Sequence, residues 1–402
     1  MDRGRMTTHL PPAEWTARDD LAALYAALDP EGSTARYVGG AVRDTLRGVA
    51  VKDIDIATQH EPGEVIARLK AAGIRTVPTG IAHGTVTALL DGGPAEITTL
   101  RRDVSTDGRR ATVAFSTQWR DDAARRDFTI NALYADPRSL ELTDFFGGIE
   151  DLAARRVRFI GEAGDRIRED YLRILRYFRF QARFGALPAD RRAETACAEL
   201  APGMKALSRE RVGWELQLLL GLPDPAPTVT RMAELGVLRE VLPEVAPDGL
   251  AALATLVAEE QRQQIAPQSL RRMAALLPAD PALAEQVASR LRLSIAQRKR
   301  LTSAAARSET KSEPRALAWA IGRESAIDRL LLTGRNTQAL ANWETPYFPL
   351  KGGTILARGV SAGPEIARML RRIEARWVEE GFPDAARIEA LLTEELARHK
   401  AQ

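Results

Sequence analysis

The distribution of hydrophobic and polar residues along the chain predicts two regions of different character. From Arg36 to about Leu142, short β-branched runs alternate with helical segments. After about Asp151 the strand signals fade, and Leu, Ala and Arg recur at helical spacing. We therefore expect an α+β fold, in which a small mixed-sheet head at residues 1–150 is followed by an all-α region.

Breaks rich in proline and glycine divide the expected helical region. They fall at residues 221–225, 278–281 and 347–353. The bounds that we expect for the helical segments are 151–222 for a neck, 223–290 for a body and 291–402 for a tail.

Individual elements of the head follow from the same patterns. The expected helices and strands are helices at 13–28, 41–46 and 62–72 and strands at 36–38, 53–56, 74–77, 84–90 and 95–100. The polar segment 101–122, which contains Asp107-Gly108, is expected to be a mobile loop. Residues 1–12 are polar and are expected to form a short disordered lead.

A glycine turn, a helix start and two acids form the densest chemical pattern of the head. Gly39 and Gly40 have no side chains, so their N–H groups can approach a phosphate at the start of a helix. Arg43 lies in the first turn of that helix and can bind a phosphate oxygen. Asp53 and Asp55 are two residues apart on an expected strand, and their side chains therefore share one face. Two carboxylates beside a phosphate site suit Mg²⁺, although a Gly-Gly turn or an Asp-x-Asp by itself is more often only a turn or a solvated strand edge.

A second pattern runs from Arg125 through Leu133, with the sequence RRDFTINAL. Arg126 has a guanidinium group that suits phosphate, and Asp127 can accept a hydrogen bond from a ribose hydroxyl. Asn131 can orient either partner. The alternative is a capped helix in which Asp127 is the N-cap.

A third pattern, residues 169–180, is expected to lie on one helix. Arg173, Arg176 and Arg179 share one side of it, Asp170 lies at their margin, and Tyr171, Ile174, Leu175 and Phe178 lie on the opposite, core-facing side. A carboxylate and a guanidinium in fixed positions would form hydrogen bonds with the amino-bearing edges of cytosine and adenine but not with uracil and guanine. Leaving these protein groups unpaired can give a selectivity on the order of 10⁴ for C and A over U and G. The alternative is a surface ion pair between Asp170 and Arg173, which are at i and i+3.

Together, the three motifs resemble the bacterial class II CCA tRNA nucleotidyltransferases and poly(A) polymerases of the DNA polymerase beta-like nucleotidyltransferase superfamily. The resemblance covers about residues 36–218 and includes Asp144–Leu152 and Glu210-Arg211-Val212. It implies a template-independent RNA nucleotidyltransferase that adds or repairs the 3′-terminal CCA of tRNA from CTP and ATP and releases pyrophosphate. It also implies that the protein itself takes the place of a template.

The resemblance assigns roles to the motif residues. Asp53 and Asp55 would bind Mg²⁺, which would lower the pKa of the terminal ribose hydroxyl and stabilise the leaving pyrophosphate. Glu96, on a nearby expected strand, is our candidate for a third catalytic carboxylate; a solvated acid is the alternative. The expected nucleotide-binding residues are Gly39, Gly40, Arg43, Arg126, Asp127, Asn131, Asp170, Arg173, Arg176 and Arg179. Among them, Asp170 and Arg173 would read the base.

Composition excludes several other classes of protein. One cysteine among 402 residues allows no internal disulfide and fits a reducing compartment. The chain has no apolar run of about 18 residues and no signal-peptide pattern, so we expect a cytoplasmic protein without a membrane partner. The net charge is only +3, so tRNA binding would depend on local basic groups such as those at 297–300 and 371–372, which can equally be solvated helix faces. The chain is expected to be a monomer or a homodimer.

Other functions remain open at this stage. One is a poly(A) polymerase of the same class, and another is a partial enzyme that adds only C or only A. A third is a non-catalytic RNA-binding protein whose nucleotidyltransferase fold has lost its activity. The presence of both Asp53 and Asp55 argues against this third function. Because no histidine occurs between His83 and His399, we do not expect the phosphohydrolase activity that some relatives carry.

Overall fold

The computed structural model describes residues 8–107, 110–309 and 312–400, and it confirms the α+β class. The chain divides into two compact units, Met1–Glu215 with Pro227–Pro243 and Leu216–Ala226 with Glu244–Gln402. The finer division into head, neck, body and tail stays a prediction.

The described strands all belong to the first unit. They are β1 (Ala35–Val38), β2 (Ile54–Thr58), β3 (Arg75–Gly80), β4 (Thr85–Leu89), β5 (Ala95–Thr99), β6 (Arg101–Asp107), β7 (Arg110–Phe115), β8 (Leu133–Ala135) and β9 (Leu142–Asp144).

In the described residues, seven strands form one mixed sheet in the order β3-β4-β5-β2-β1-β8-β9. β2 and β5 are parallel, whereas the other neighbouring strands are antiparallel. The β2–β5 register pairs Asp55 with Glu96. Ile54 and Ile56 are buried on either side of Asp55, so the alternation of the strand turns the Asp55 side chain away from that core.

Helices cover the sheet and continue beyond it. Those that begin at or before residue 238 are α1 (Asp19–Leu28), α2 (Gly40–Leu46), α3 (Pro62–Ala71), α4 (Trp119–Ala124), α5 (Gly148–Ala153), α6 (Ala163–Glu169), α7 (Leu172–Phe184), α8 (Arg191–Leu200), α9 (Arg209–Leu220), α10 (Ala226–Glu234) and α11 (Leu238–Val241). An aromatic cluster beside α7 joins Phe128, Phe159, Tyr177 and Phe180, with ring centroids 4.9–6.3 Å apart. This cluster fixes the helix that carries the third motif.

The later part of the second unit contains helices and no strand in its described residues. Its helices are α12 (Gly249–Arg262), α13 (Ser269–Leu276), α14 (Pro281–Arg290), α15 (Ile295–Ala305), α16 (Pro314–Ile321), α17 (Arg323–Leu332), α18 (Gly352–Ala357), α19 (Pro364–Glu379) and α20 (Ala385–Lys400). The last three helices share a core around Met369, Ile373, Trp377 and Leu391. No helix in the described part of the chain is both long and hydrophobic enough to span a membrane.

The prediction of a loop at 101–122 is wrong for the described residues. β6 and β7 form a separate two-stranded antiparallel sheet, and α4 follows them. A two-stranded ribbon is held by main-chain hydrogen bonds and needs no continuous apolar face, so the hydrophobic pattern that reveals core strands is weak there. Gly108, on which the prediction relied, lies outside the described residues.

The amino-terminal predictions also need correction. Instead of one helix at 13–28, a 3₁₀ turn at Glu14–Ala17 is separated from α1 by Arg18, whose backbone is extended. The turn is anchored by Trp15, whose indole N–H donates to the Thr45 hydroxyl over 2.9 Å. Residues 1–7 of the expected disordered lead lie outside the described residues, but Leu10 is buried and its N–H donates to Leu140 over 2.7 Å.

Candidate nucleotide-binding and catalytic site

The glycine turn between β1 and α2 brings the main chain close to charged side chains. Gly39 has a φ of +69°, a conformation that favours glycine. A Cβ atom on Gly39 would lie 3.3 Å from Nη1 of Arg126 and 3.6 Å from the Asn131 carbonyl oxygen. A Cβ atom on Gly40 would lie 3.9 Å from Oδ2 of Asp55. The turn therefore leaves room for a ligand between the arginine and the acid.

A cluster of acids lies beside this turn. Asp55 is in register with Glu96 on the parallel neighbour strand, and Asp53 immediately precedes β2. Burial, the largest cause, and the negative charge of Glu96 raise the pKa of Asp55 to about 6, and Asp53 acts in the same direction. None of the three carboxylates forms a hydrogen bond or ion pair with another described side chain. The negative charges of this cluster therefore have no direct counter-ion among the described side chains.

Arg43 is held rigidly in the wall of the site. It is 6% exposed, and its Nε and Nη1 donate to Asp44 and Asn131 over 2.7 and 2.5 Å. Its guanidinium carbon lies 4.3 Å from the centre of the Phe184 ring. Burial lowers the pKa of Arg43, so this cation is only partly compensated and is suited to an anionic ligand.

Arg126 is positioned by a buried acid that the sequence analysis did not identify. The Asp122 side chain is 1% exposed and accepts from Arg126 Nη2 over 3.0 Å, from Arg125 Nε over 2.9 Å and from the Tyr134 hydroxyl over 2.8 Å. Asp122 lies three and four residues before the two arginines on α4 and its C-terminal turn. That i, i+3 and i+4 spacing is the signal that would have found it.

Asp127 and Arg176 are joined across the site. Asp127 Oδ2 accepts from Nε of Arg176 over 2.8 Å and also from its Nη2. The other oxygen, Oδ1, accepts from the Asn131 amide and from the Phe128 N–H, both over 2.9 Å. Burial opposes ionisation of Asp127, but the Arg176 charge and the Asn131 hydrogen bond outweigh it and lower the pKa. The residue expected to hold the ribose and one expected to hold the triphosphate are thus in direct contact.

The expected single helix at 169–180 is broken at Asp170. α6 ends at Glu169, Asp170 has an extended backbone, and α7 begins at Leu172. Asp170 Oδ1 accepts from the Leu172 N–H over 3.1 Å, as in an Asx turn. Asp170 therefore lies in the link between the two helices, outside the helix on which it was expected. Ile174, Leu175 and Phe178 are buried as expected, whereas Tyr171 precedes α7 and is only half-buried.

Asp170 and Arg173 do not pair with each other, so the simple ion-pair alternative is wrong. Asp170 Oδ2 accepts from Arg211 over 2.6 Å. Arg173 donates from Nη1 to the Glu169 carboxylate and to the Arg166 carbonyl, the latter over 2.9 Å. Separate partners therefore hold the acid and the guanidinium as two distinct groups.

Arg179 has a different environment from the other two arginines of the motif. Its Nε donates to Glu215 on α9 over 2.7 Å, and its guanidinium carbon lies 4.8 Å from the centre of the Phe180 ring. Glu215 also lies 3.7 Å from Nη1 of Arg176. Arg211 and Glu215 are distant in the chain from the groups that they contact, so the sequence did not reveal these contacts. Glu169 lies four residues before Arg173, and that i, i+4 spacing is the signal that would have found it.

These groups surround one cavity of about 410 Å³. The residues that line it are Gly39, Gly40, Arg43, Asp55, Arg125, Arg126, Asp127, Asn131, Asp170, Arg173, Arg176 and Phe180. The structure thus brings together residues from all three motifs. Of the expected site residues, Asp53, Glu96 and Arg179 are not among those that line this cavity in the described chain. Within the described residues, no three His, Cys, Asp or Glu side chains form a metal site by themselves.

Comparison with family models identifies two matching segments. Residues 35–158 match the poly A polymerase head domain, and residues 190–248 match the probable RNA and SrmB-binding site of polymerase A. The first segment contains the glycine turn, the acids and the second motif. The second contains the helix that supplies Arg211 and Glu215.

Similarity to characterised proteins extends over almost the whole chain. The human mitochondrial CCA tRNA nucleotidyltransferase 1 is 36% identical over 389 residues, which are 90% of this chain and 87% of that protein. A CCA-adding enzyme from Geobacillus stearothermophilus is 39% identical over 221 residues, 54% of this chain and 53% of that enzyme.

Solved structures show the same fold. The CCA-adding enzyme of Bacillus stearothermophilus in complex with CTP aligns with a TM-score of 0.73 and 26% identity, and the alignment covers 95% of this chain and 98% of that one. The Thermotoga maritima CCA-adding enzyme complexed with tRNA aligns with a TM-score of 0.67 and 23% identity over 95% and 98% of the two chains.

Proposed function

We infer the activity of this chain from its family: it belongs to the CCA tRNA nucleotidyltransferases. It is accordingly a nucleotidyltransferase that adds or repairs the 3′-terminal CCA of tRNA with CTP and ATP. The observation that carries this conclusion is the 36% identity to the human enzyme over 90% of the chain. In each step the 3′-oxygen of the tRNA forms a bond to the α-phosphorus. The bond from that phosphorus to its bridging oxygen breaks, pyrophosphate leaves with the electron pair, and the hydroxyl proton is released.

Backbone and arginine groups would hold the triphosphate. The Gly39 N–H already donates to the Leu133 carbonyl over 3.0 Å, so the main-chain donors for the triphosphate would be the N–H groups at the start of α2, from Gly40 onward. Arg43 and Arg126 are fixed by Asn131 and Asp122, so they can bind phosphate oxygens with little loss of side-chain entropy. Arg179, paired with Glu215, stays a predicted contact.

The acid cluster fits a divalent cation. Asp55 has a raised pKa and no hydrogen-bonding partner among the described side chains, and Glu96 and Asp53 add negative charge. Mg²⁺ usually takes one or two carboxylates and completes its coordination with water and phosphate oxygens, so the lack of a protein-only metal site does not conflict with this fit. Asp53 and Asp55 would hold Mg²⁺, with Glu96 as the proposed third carboxylate. When bound, the ion would supply charge stabilisation at the reacting phosphate.

Asp127 and Arg176 would act on the sugar and phosphate together. Asp127 is kept ionised by Arg176 and held in place by Asn131, so its carboxylate can accept from a ribose hydroxyl. Arg176 also lines the cavity, so a phosphate oxygen could bind its guanidinium alongside the Asp127 carboxylate.

Asp170 and Arg173 would select the base. Arg211 and the Leu172 N–H fix the Asp170 carboxylate, while Glu169 fixes one end of the Arg173 guanidinium. The carboxylate would accept from the exocyclic amino group of C or A, and the guanidinium would donate to the adjacent ring nitrogen. U and G present the reverse arrangement of donor and acceptor, so neither hydrogen bond would form with them.

Two finer points stay predictions. A cytoplasmic location is expected from the sequence, whereas the human and mouse relatives are named mitochondrial. A monomer or homodimer is the expected oligomeric state.

Sequencing of reaction products tests the proposed function. The protein is incubated with tRNA transcripts that lack CCA, with CTP and ATP separately and together. We expect ends that stop at CCA when both nucleotides are present, and no extension of either kind by Asp53→Ala. Unlimited A tails would instead favour the poly(A) polymerase that the head-domain match suggests, and no extension by the unmodified protein would contradict both activities.

A further inference from the structure

Trp214, on α9, has an unusual environment for a tryptophan. Its side chain is 60% exposed, whereas tryptophan is highly buried on average. Its ring makes no aromatic contact and its indole N–H makes no hydrogen bond with any described residue. The core of the first unit therefore does not explain the large aromatic group at this position.

The position of Trp214 relates it to the base-selecting wall. Arg211 and Glu215, one helical turn apart on α9, contact Asp170 over 2.6 Å and Arg179 over 2.7 Å. Trp214 follows Arg211 by three residues, so the two side chains are neighbours on the surface of the helix. The exposed indole thus stands beside the arginine that holds the Asp170 carboxylate.

The reaction requires a second base next to the one that is being selected. The 3′-hydroxyl of the last tRNA nucleotide attacks the α-phosphorus of the incoming nucleotide, so the last base must lie beside the incoming base. The identity of this last base changes after each addition. An aromatic ring suits such a base, because stacking depends little on which base is present.

Two further observations favour RNA at this surface. Trp214 lies within residues 190–248, the segment that matches the RNA-binding family model. Arg209, five residues before it on α9, donates only to the Lys205 carbonyl and has no ion pair among the described residues, so its charge is available to an RNA phosphate.

We propose that Trp214 is the stacking platform for the unpaired 3′-terminal base of the tRNA. This inference rests on the proposed function. It assigns Trp214 a positioning role, in which the ring holds the end of the tRNA beside the cavity without contacting the reacting atoms.

A fluorescent tRNA tests this role. The full-length protein is mixed with a tRNA that lacks CCA and ends in 2-aminopurine, whose fluorescence is quenched by stacking. We expect quenching by the unmodified protein and its loss with Trp214→Leu. Steady-state incorporation of CMP should show a KM for tRNA that is about 5- to 100-fold higher in Trp214→Leu, in line with the strength of base–aromatic stacking. The KM for CTP should be unchanged.

Two further variants make the test specific. Trp214→Phe keeps a ring and should keep most of the quenching and tRNA affinity. Tyr347→Leu removes another aromatic side chain, 73% exposed, and should leave the quenching unchanged. Equal quenching by the unmodified protein and by Trp214→Leu would overturn the stacking role, and it is the result expected if this surface binds a protein instead. Loss of quenching in Trp214→Phe to the same extent as in Trp214→Leu would also overturn it. Absence of CMP incorporation by the unmodified protein would overturn the proposed function and the stacking role together.

Discussion

At the scale of single residues, the site depends on buried acids that hold arginines in place. Asp122 accepts from Arg125, Arg126 and Tyr134, and Glu215 accepts from Arg179. A guanidinium group fixed in this way loses little entropy when a phosphate binds. The lining of the cavity is therefore already ordered before the substrate arrives.

The Asp122 carboxylate gives a prediction about stability and pH. Burial alone would raise the pKa of Asp122, but the charges of Arg126 and Arg125 outweigh it and lower the pKa to about 2. Because the folded-state pKa is below the unfolded value, the stabilisation is complete above pH 4 and is lost as the pH falls toward 2. Asp122→Asn should therefore lower the free energy of unfolding by about 2 kcal/mol at neutral pH.

Urea unfolding of both proteins from pH 8 to pH 3 measures this effect. The difference between them should be constant down to about pH 5 and shrink below pH 4. Asp121→Asn, a neighbouring substitution outside this arginine pair, is the matched control and should not show that loss. A difference that already shrinks between pH 7 and pH 5 would contradict the account.

Single residues of the site are predictable from the sequence when they belong to a local pattern. The cavity-lining residues Gly39, Gly40, Arg43, Asp55 and Arg126 follow from the sequence because glycine turns and charged strings are visible locally. Asp170 was expected on a helix, but it lies in the extended link between α6 and α7. Arg211 was part of a recognised string, but its contact with Asp170, 41 residues away, has no local signal.

At the scale of secondary-structure elements, the apolar pattern correctly predicted the helices and strands that bury one face. The strands from β1 to β5 and the helices α2 and α3 agree with expectation within a few residues. The expected break at 221–225 falls between α9 and α10, whereas those at 278–281 and 347–353 extend into the first residues of α14 and α18. The β6–β7 ribbon was missed because it is not part of the main sheet, and strand prediction from alternation relies on a buried face.

A buried arginine in the second unit ties three elements together. The Arg272 side chain is 1% exposed, and it donates to the Glu260 carboxylate over 2.8 Å. It also donates to the carbonyl oxygens of Leu220 and Pro223, over 2.8 and 3.0 Å, and to the carbonyl oxygen of Leu222. These carbonyls lie at the end of α9 and just after it, where a helix leaves acceptors without partners.

Arg272→Leu should destabilise the protein by about 3 to 5 kcal/mol, because it leaves Glu260 and the carbonyl groups without this donor. Urea denaturation provides the measurement. Arg262→Ala removes a guanidinium that is 58% exposed and paired with Glu259, and it should leave the free energy of unfolding unchanged. Equal effects of the two substitutions would show that the buried network is not required.

At the scale of the whole molecule, the first unit would perform both the chemistry and the choice of base. Asp55 of β2, the arginines of α2 and α7 and the two arginines that follow α4 line one cavity together with Asp170. Placing these groups on rigid elements would allow the protein to reject U and G without a nucleic-acid template.

The ratio of kcat/KM for CTP to that for UTP, measured with tRNA that lacks CCA, tests this claim most directly. Arg168→Ala, on the neighbouring helix α6, removes an arginine that is 60% exposed and serves as the matched control. Arg173→Ala should lower the ratio by about 100-fold or more, while Arg168→Ala should leave it unchanged. An Arg173→Ala enzyme that prefers CTP as strongly as the unmodified protein would contradict the account.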